Sequence, residues 1–192
     1  MQRCMSQLLF RSTDSALIVA NTGRRFTIGG LEALCASHLS DKTDGEQNVF
    51  SCSAEASDLI AEIQGRYLEE YKANRRRITE DARAEAQTGR DYTNRLLLEL
   101  MQNADDAAAE RPIGYKGLGF KAVLDVCETV FIYSGQLHVK FDRNVSRQIL
   151  HKHGFAHLDE VPVLRLPSLI PDSRDNKEAR LCRRRLFGHW IA

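Results

Sequence analysis

The chain lacks the marks of several protein classes. Among its 192 residues there are only 4 prolines and 1 tryptophan, and no apolar run approaches the about 20 residues that cross a bilayer. The first apolar stretch is broken by Arg11 and Asp14, which leaves it too short for a signal peptide. An apolar share of 43% is instead typical of a globular protein, so we expect no membrane association.

An excess of one charge is also missing. Lys and Arg total 27 against 26 for Asp and Glu, a formal charge of +1, so the net charge predicts no whole-surface attraction to nucleic acid or membrane. The five cysteines are odd in number, far apart and without a C-x-x-C pair, which argues against a disulfide framework and a zinc knuckle. We therefore expect a reducing, cytoplasmic environment. The cysteines are Cys4, Cys35, Cys52, Cys127 and Cys182.

Apolar spacing in the first half of the chain predicts one strand followed by helices. Capping and breaking residues set the expected ends, with Ser53 as a helix cap and Gly89 as a helix stop. The predicted elements are a strand over Ser15–Ala20, helices over Leu31–Leu39, Ala54–Tyr71 and Thr79–Gln87, and a polar loop over Ser40–Asn48.

The second half combines helices with a hairpin. A helix followed by a hairpin implies an α/β two-layer sandwich with a mixed sheet and helices on one face. The predicted elements are helices over Asp91–Glu110 and Phe120–Cys127, a glycine loop over Gly114–Gly119, strands over Thr129–Ser134 and Gln136–Asp142 around Gly135, and irregular or edge structure over Leu158–Leu169.

The segment E-L-M-Q-N-A-D-D-A, residues 99–107, carries the first candidate site. Glu99 and Asn103 lie one helical turn apart and share a face with Asp106. A carboxylate there can polarise a water while a carboxamide oxygen binds a hard cation. The alternative is the solvated face of an amphipathic helix.

Glycines concentrate in I-G-Y-K-G-L-G-F-K-A, residues 113–122. Gly114, Gly117 and Gly119 let backbone N–H groups approach an anion, and the predicted helix that follows adds its positive end. Lys121 adds charge beside them. No Gly-Lys-Ser/Thr follows, so this is not a Walker loop, and an ordinary turn is the alternative.

The third segment, A-N-T-G-R-R-F-T, covers residues 20–27. It places Asn21 at the end of a predicted strand and Gly23 in the turn that follows. A polar side chain at a sheet edge can hydrogen-bond a planar base. By itself the pattern also fits a plain turn.

Together these segments resemble the GHKL superfamily of gyrase, heat-shock chaperone, histidine-kinase and MutL-type ATPases, and most closely its sacsin and NO VEIN-like branch. The stretch R-Y-L-E-E-Y-K-A-N-R-R-R-I-T-E-D-A-R-A-E-A from Arg66 and S-H-L-S-D-K from residue 37 resemble the same branch. The resemblance spans roughly residues 15–143. The remainder, 144–192, is expected to be an irregular C-terminal extension.

The resemblance implies a role for each matching residue. Glu99 would be the general base and Asn103 the Mg²⁺ ligand, with Asp106 supporting the pocket. Asn21, Gly23 and Thr27 would hold the adenine. Phosphate contacts would come from Ser40, Lys42, Gly114, Gly117, Gly119 and Lys121.

The order of the segments departs from the family. There the segment containing Glu99 comes first, whereas here the Asn21 segment precedes it. The resemblance therefore implies a Bergerat-like domain over 1–143 that binds Mg-ATP, with slow or absent turnover, an unknown protein partner and a possible homodimer. The alternative is a non-catalytic interaction module that retains the fold.

Two weaker signals lie near the C-terminus. His151, His153 and His157 suggest a metal site, but no carboxylate or cysteine completes a ligand set, so a surface cluster is favoured. Arg183–Arg185 with Trp190 could contact single-stranded nucleic acid, although a short solvated tail is the more economical interpretation.

Overall fold

A computed structural model describes residues 8–12, 16–21, 25–36, 48–92, 123–124 and 127–170. These residues form an α/β fold with one mixed sheet. Its strands are β1 (Leu8–Ser12), β2 (Ala16–Asn21), β3 (Thr129–Ser134), β4 (Leu137–Asp142) and β5 (Ser168–Leu169). Its helices of eight residues or more are α1 (Ile28–Cys35), α2 (Ser53–Ala73), α3 (Arg76–Tyr92) and α4 (Arg143–Lys152).

The described strands lie in the order in which they occur in the chain, β1 to β5. β2 and β3 are parallel, while the other neighbours are antiparallel. In the parallel pair Ala16 lies opposite Thr129 and Asn21 opposite Ser134, so both strands end at the same edge. A parallel pair needs a long crossover, and α1, α2 and α3 lie within that connection.

Alternating side chains of β2 reach two apolar clusters. Leu17 belongs to the larger cluster, which also contains the buried apolar residues of α1, α2 and α4. Ile18 and Ala20 belong to a smaller cluster with Tyr133 and Ile170. Because successive strand residues face opposite sides, the two clusters lie on opposite faces of the sheet. These helices therefore share the face of Leu17.

The predicted hairpin is confirmed. β3 and β4 pair from Thr129↔Asp142 to Ser134↔Leu137, leaving Gly135 and Gln136 as the turn. Gly135 has a φ of 58°, in the left-handed region that a two-residue hairpin turn requires. Gln136, predicted as the first residue of the second strand, belongs to this turn instead.

Helix starts differ from the predictions because other residues cap them. α1 begins at Ile28, since the Thr27 hydroxyl accepts from the Gly30 N–H, and it ends at Cys35 rather than Leu39. α2 begins at Ser53 itself, with Cys52 at the cap position, so Ser53 is not the cap. The predicted buried face of α1, with Leu31, Leu34 and Cys35, is confirmed.

Gly89 does not end a helix, which makes that prediction wrong. α3 continues through it to Tyr92. A glycine inside a helix costs about 1 kcal/mol relative to alanine, which neighbouring interactions can offset. Here Gly89 is buried, and the Gln87 amide donates to Asp91 at 2.7 Å across it.

The chain after β4 packs on the same core. The Asp142 carboxylate caps α4 by accepting the N–H groups of Asn144 and Val145 at 2.9 and 3.0 Å. Leu150 of α4 is buried, and residues 161–167 form a buried irregular segment that leads into the edge strand β5. Among the described helices none is both long and apolar enough to cross a membrane.

Candidate functional site at the ends of β2 and β3

The carboxyl ends of β2 and β3 meet at one edge of the sheet, where Asn21 lies in register with Ser134. In open α/β sheets, ligands bind beyond the carboxyl ends of parallel strands. We call this region the β2–β3 edge, comprising Asn21, residues 25–30, Ser134 and Gly135. Within the described residues it is where the predicted base-binding segment meets a second strand.

Ser134 fixes the chain that follows β2. Its hydroxyl accepts the Phe26 N–H at 2.9 Å, and Ser134 is 3% exposed. The hydrogen bond joins residues 108 positions apart in the sequence. It therefore places Phe26 and Thr27 beside the end of β3, a contact that sequence patterns did not indicate.

Thr27 lies at the entrance to α1. Its Oγ1 accepts from Gly30 N at 2.9 Å, and its carbonyl accepts from Leu31 N at 3.1 Å. A hydroxyl that accepts one N–H can still donate its own proton, so Thr27 retains a donor. A Cβ on Gly30 would lie 2.9 Å from that Oγ1, which explains why a larger residue there would disturb the cap.

Arg25 brings a cation to the same edge. A Cβ added to Gly135 would lie 3.0 Å from Arg25 Cδ, so the arginine side chain crosses the β3–β4 turn. Arg25 is exposed. Sequence reasoning gave no role to Arg25 or Ser134, because neither contact can be inferred without knowing that β2 pairs with β3.

The connection after α1 returns to this edge. Ile28 N donates to Asn48 O at 2.9 Å, and Thr27 forms an isolated antiparallel bridge with Val49. Ala36, at the end of α1, and Asn48, beside its start, are thus the described residues that flank residues 37–47. Ser40 and Lys42 belong to this segment and lie outside the described residues.

Of the predicted site residues, the described part of the chain includes Asn21 and Thr27, and it brings both to the β2–β3 edge. Within the described ranges no group of three or more His, Cys, Asp or Glu residues could hold a metal ion. The residues outside those ranges are Gly23, Ser40, Lys42, Glu99, Asn103, Asp106, Gly114, Gly117, Gly119 and Lys121.

A second concentration of polar groups is buried between α1, α2, α3 and the 161–167 segment. We call it the Arg165 cluster, and its members are Tyr67, Tyr71, Asp81, Glu85 and Arg165. Arg165 lies 3.4 Å from Asp81 and 3.3 Å from Glu85, and its side chain is 2% exposed. The cluster was not predicted, because Arg165 lies in a segment expected to be irregular.

Most polar groups of the cluster form hydrogen bonds with other groups of the protein. Glu85 accepts the N–H groups of Val163 and Leu164 at 2.6 and 3.2 Å. The carbonyl of Cys35, at the end of α1, accepts from Arg165 and from the Tyr67 hydroxyl, each at 3.2 Å. These bonds fix the end of α1 relative to α2 and α3.

Burial shifts the pKa values in this cluster. It raises the pKa of Glu85, against the lowering influence of Arg165 and of the two N–H donors. It also raises the pKa of Tyr71, which donates to Asp81 at 3.0 Å. Burial alone would lower the pKa of Arg165, but Glu85 and Asp81 outweigh it and raise that pKa.

Architecturally, the chain is an α/β protein with a polar edge at the ends of two parallel strands. Neither a family model, nor a curated protein, nor a solved structure matches it. Its function is therefore inferred from this edge and from the motif resemblance.

Proposed function

We propose that the protein binds Mg-ATP at the β2–β3 edge, within a Bergerat-like two-layer sandwich. The observation that carries the proposal is the parallel β2–β3 pair, with Asn21 opposite Ser134 and the Thr27-capped helix directly after it. The segment expected to bind adenine thus begins at the type of sheet edge where α/β proteins bind ligands.

Adenine recognition would use short-range polar groups. The Asn21 amide can accept from the adenine amino group, and Gly23 would leave room beneath the ring. The Thr27 hydroxyl oxygen accepts the Gly30 N–H, which leaves the hydroxyl proton to be donated to a ring nitrogen or to a water. Arg25 supplies an exposed positive charge nearby.

Phosphate and metal binding would come from residues outside the described ranges. Asn103 would hold Mg²⁺ and Glu99 would orient a water, with Asp106 in support. The phosphates would contact Ser40, Lys42, Gly114, Gly117, Gly119 and Lys121.

The glycine segment is followed in the chain by a described core residue, Val123. Val123 is 0% exposed in the larger apolar cluster, and its carbonyl accepts from Cys127 N at 2.9 Å. Lys121 lies only two residues before it, within about 7 Å along the chain. The proposal therefore needs the glycine segment, which precedes Val123 in the chain, to reach the β2–β3 edge.

Thermal unfolding with and without nucleotide tests the proposal. A ligand that binds only the folded state stabilises it by RT ln(1 + [L]/Kd), about 2.7 kcal/mol at 100 times Kd. We expect millimolar Mg-ATP to raise the melting temperature and Thr27→Ala to reduce the rise more than Thr27→Ser. An unchanged melting temperature in demonstrably folded protein contradicts nucleotide binding.

Turnover is expected to be slow or absent. In relatives the Ser/Lys segment leads directly into the glycine loop, so the lid is tethered at both ends. Here the chain after Lys42 returns to Thr27 at Asn48 and continues into α2. The covalent path that would couple lid closure to the phosphates is missing, and misplacement of about 1 Å can cost 100-fold in rate.

Phosphate release separates a binding module from an ATPase. We expect wild type and Glu99→Ala to release phosphate at similar rates close to background, as a non-catalytic module would. Rapid release by wild type that Glu99→Ala abolishes, with Mg-ATP binding retained, would show that the reordered chain hydrolyses ATP.

A further inference from the structure

Two exposed segments that are far apart in the sequence meet at the end of α4. Arg75, in the turn between α2 and α3, donates to the Gly154 carbonyl at 3.4 Å. Its guanidinium carbon lies 5.4 Å from the ring centre of Phe155. The contact places Arg75 and Arg76 beside the residues that end α4.

These segments contain cations and no acids. No Asp or Glu occurs from residue 143 to 158 or from residue 71 to 79. We define the α4 basic surface as the exposed residues Arg75, Arg76, Arg147, His151, Lys152 and His153. A chain with a formal charge of +1 thus has a local positive surface that its composition does not reveal.

Three cations of this surface form no ion pair of 4.0 Å or less with a described carboxylate, unlike the neighbouring Arg77. Arg77 pairs with Glu70 and Asp81, at 3.5 and 3.8 Å. Within the described residues no such ion pair involves Arg76, Arg147 or Lys152.

Arg76 also occupies an unfavourable position. It lies in the first turn of α3, which contains no acidic residue, and the positive end of the helix dipole disfavours cations there. An anion bound beside Arg76 would remove that penalty.

The long polar side chains of α4 border an open depression, to which their aliphatic parts contribute most of the lining. The depression has a volume of about 540 Å³ and is lined by Asn144, Arg147, Gln148, His151 and Lys152. These side chains follow one another at helical spacing, with the Arg147 guanidinium 3.2 Å from the Asn144 amide oxygen. Guanidinium, ammonium and amide groups are those that contact phosphate oxygens in protein–nucleic acid complexes.

We propose that the α4 basic surface binds the phosphodiester backbone of nucleic acid without sequence specificity. The large apolar side chains that are exposed among the described residues are Val49 and Leu169, and neither belongs to this surface. The surface therefore offers donors and charge without a large exposed apolar side chain to insert into a membrane. The proposal is independent of ATP binding.

Fluorescence anisotropy of labelled single-stranded and duplex DNA of about 20 nucleotides tests this proposal. We expect binding that weakens between about 50 and 200 mM salt, because phosphate contacts release counterions. The double variant Arg147→Glu/Lys152→Glu should weaken binding about tenfold or more and lower the salt slope by about 2.

A control with the same change in net charge is Arg11→Glu/Arg90→Glu, at exposed positions on β1 and α3. It should change affinity by less than about twofold, since screened charges act only over about 10 Å at 0.1 M salt. Absence of DNA binding by wild type, or equal losses in the two double variants, overturns the proposal. Binding to anionic phosphatidylserine vesicles but not to DNA also overturns it, in favour of a membrane surface.

Discussion

The β2–β3 edge and the Arg165 cluster use polar groups in opposite ways. At the edge, the Ser134 and Thr27 hydroxyls accept the backbone N–H groups of Phe26 and Gly30, and Arg25 is exposed. In the cluster, Arg165 contacts two carboxylates and a carbonyl while almost fully buried. Shifted pKa values can mark functional sites. Here they coincide with a buried ion-pair cluster that connects helices, so the exposed Arg25 distinguishes the edge from the cluster better than pKa shifts do.

The largest effect is expected from Arg165→Met. It would leave the buried carboxylates of Asp81 and Glu85 without their cation, and breaking a buried ion pair costs about 3–5 kcal/mol. Urea unfolding measures this loss. The matched Arg147→Met, on the exposed face of α4, should change stability by at most about 0.5 kcal/mol. Equal, small effects in both variants would contradict the assignment of the cluster as a structural brace.

A smaller effect should appear in the pH dependence of stability. The pKa of Glu85 in the folded state is raised above its ordinary value of 4.5. The stability that this shift contributes to the folded state is therefore fully present below pH 4.5. This contribution is lost as the pH rises through the folded-state pKa. Glu85→Gln should remove this decline, which unfolding free energies measured on both sides of pH 4.5 would reveal. An identical pH slope in the two proteins would contradict it.

At the β2–β3 edge, Thr27→Ala should cost about 1 kcal/mol, because it removes the oxygen that accepts the Gly30 N–H. Thr27→Ser retains that oxygen and should recover most of the loss. Thermal unfolding without ligand measures the cap, separately from any effect on nucleotide. If serine and alanine destabilise the protein equally, Thr27 does not act as the cap.

The smallest expected effect is a difference in reactivity between two cysteines, Cys52 and Cys127. The N–H of Glu55, the Ser51 hydroxyl and the N–H of Ala54 lower the pKa of Cys52, an exposed residue at the start of α2. Burial raises the pKa of Cys127. Since the thiolate is the reactive form, iodoacetamide should modify Cys52 before Cys127 near neutral pH, as followed by mass spectrometry of peptides. Faster modification of Cys127 would reverse this ranking.

Local patterns were sufficient to predict much of the fold. The β-branched run before Asn21 predicted β2, and the glycine between two apolar strands predicted the hairpin at Gly135. Such features depend on neighbouring residues. Helix ends were less predictable, because α3 continues through the possible breaker Gly89, which the Gln87–Asp91 side-chain hydrogen bond spans.

The site required information that no local pattern contains. Asn21 and Thr27 could be selected from the sequence, but Ser134 could not. It lies opposite Asn21 through the parallel pairing of β2 and β3, and it binds the N–H of Phe26, 108 residues away in the sequence. Arg165 was missed for the same reason, since its partners come from α1 and α3. Long-range pairing depends on the whole core, whereas strand and helix patterns report only nearby burial.

Isothermal titration of Mg-ATP into wild type and Asn21→Ala tests the central claim most directly. Asn144→Ala is the matched control, because it makes the same substitution on the exposed face of α4. We expect saturable binding by wild type and by Asn144→Ala, with an affinity at least about tenfold lower for Asn21→Ala, as loss of a buried polar contact to a ligand predicts. Equal affinities in all three proteins, or no heat of binding from folded wild type, would contradict nucleotide binding at the β2–β3 edge.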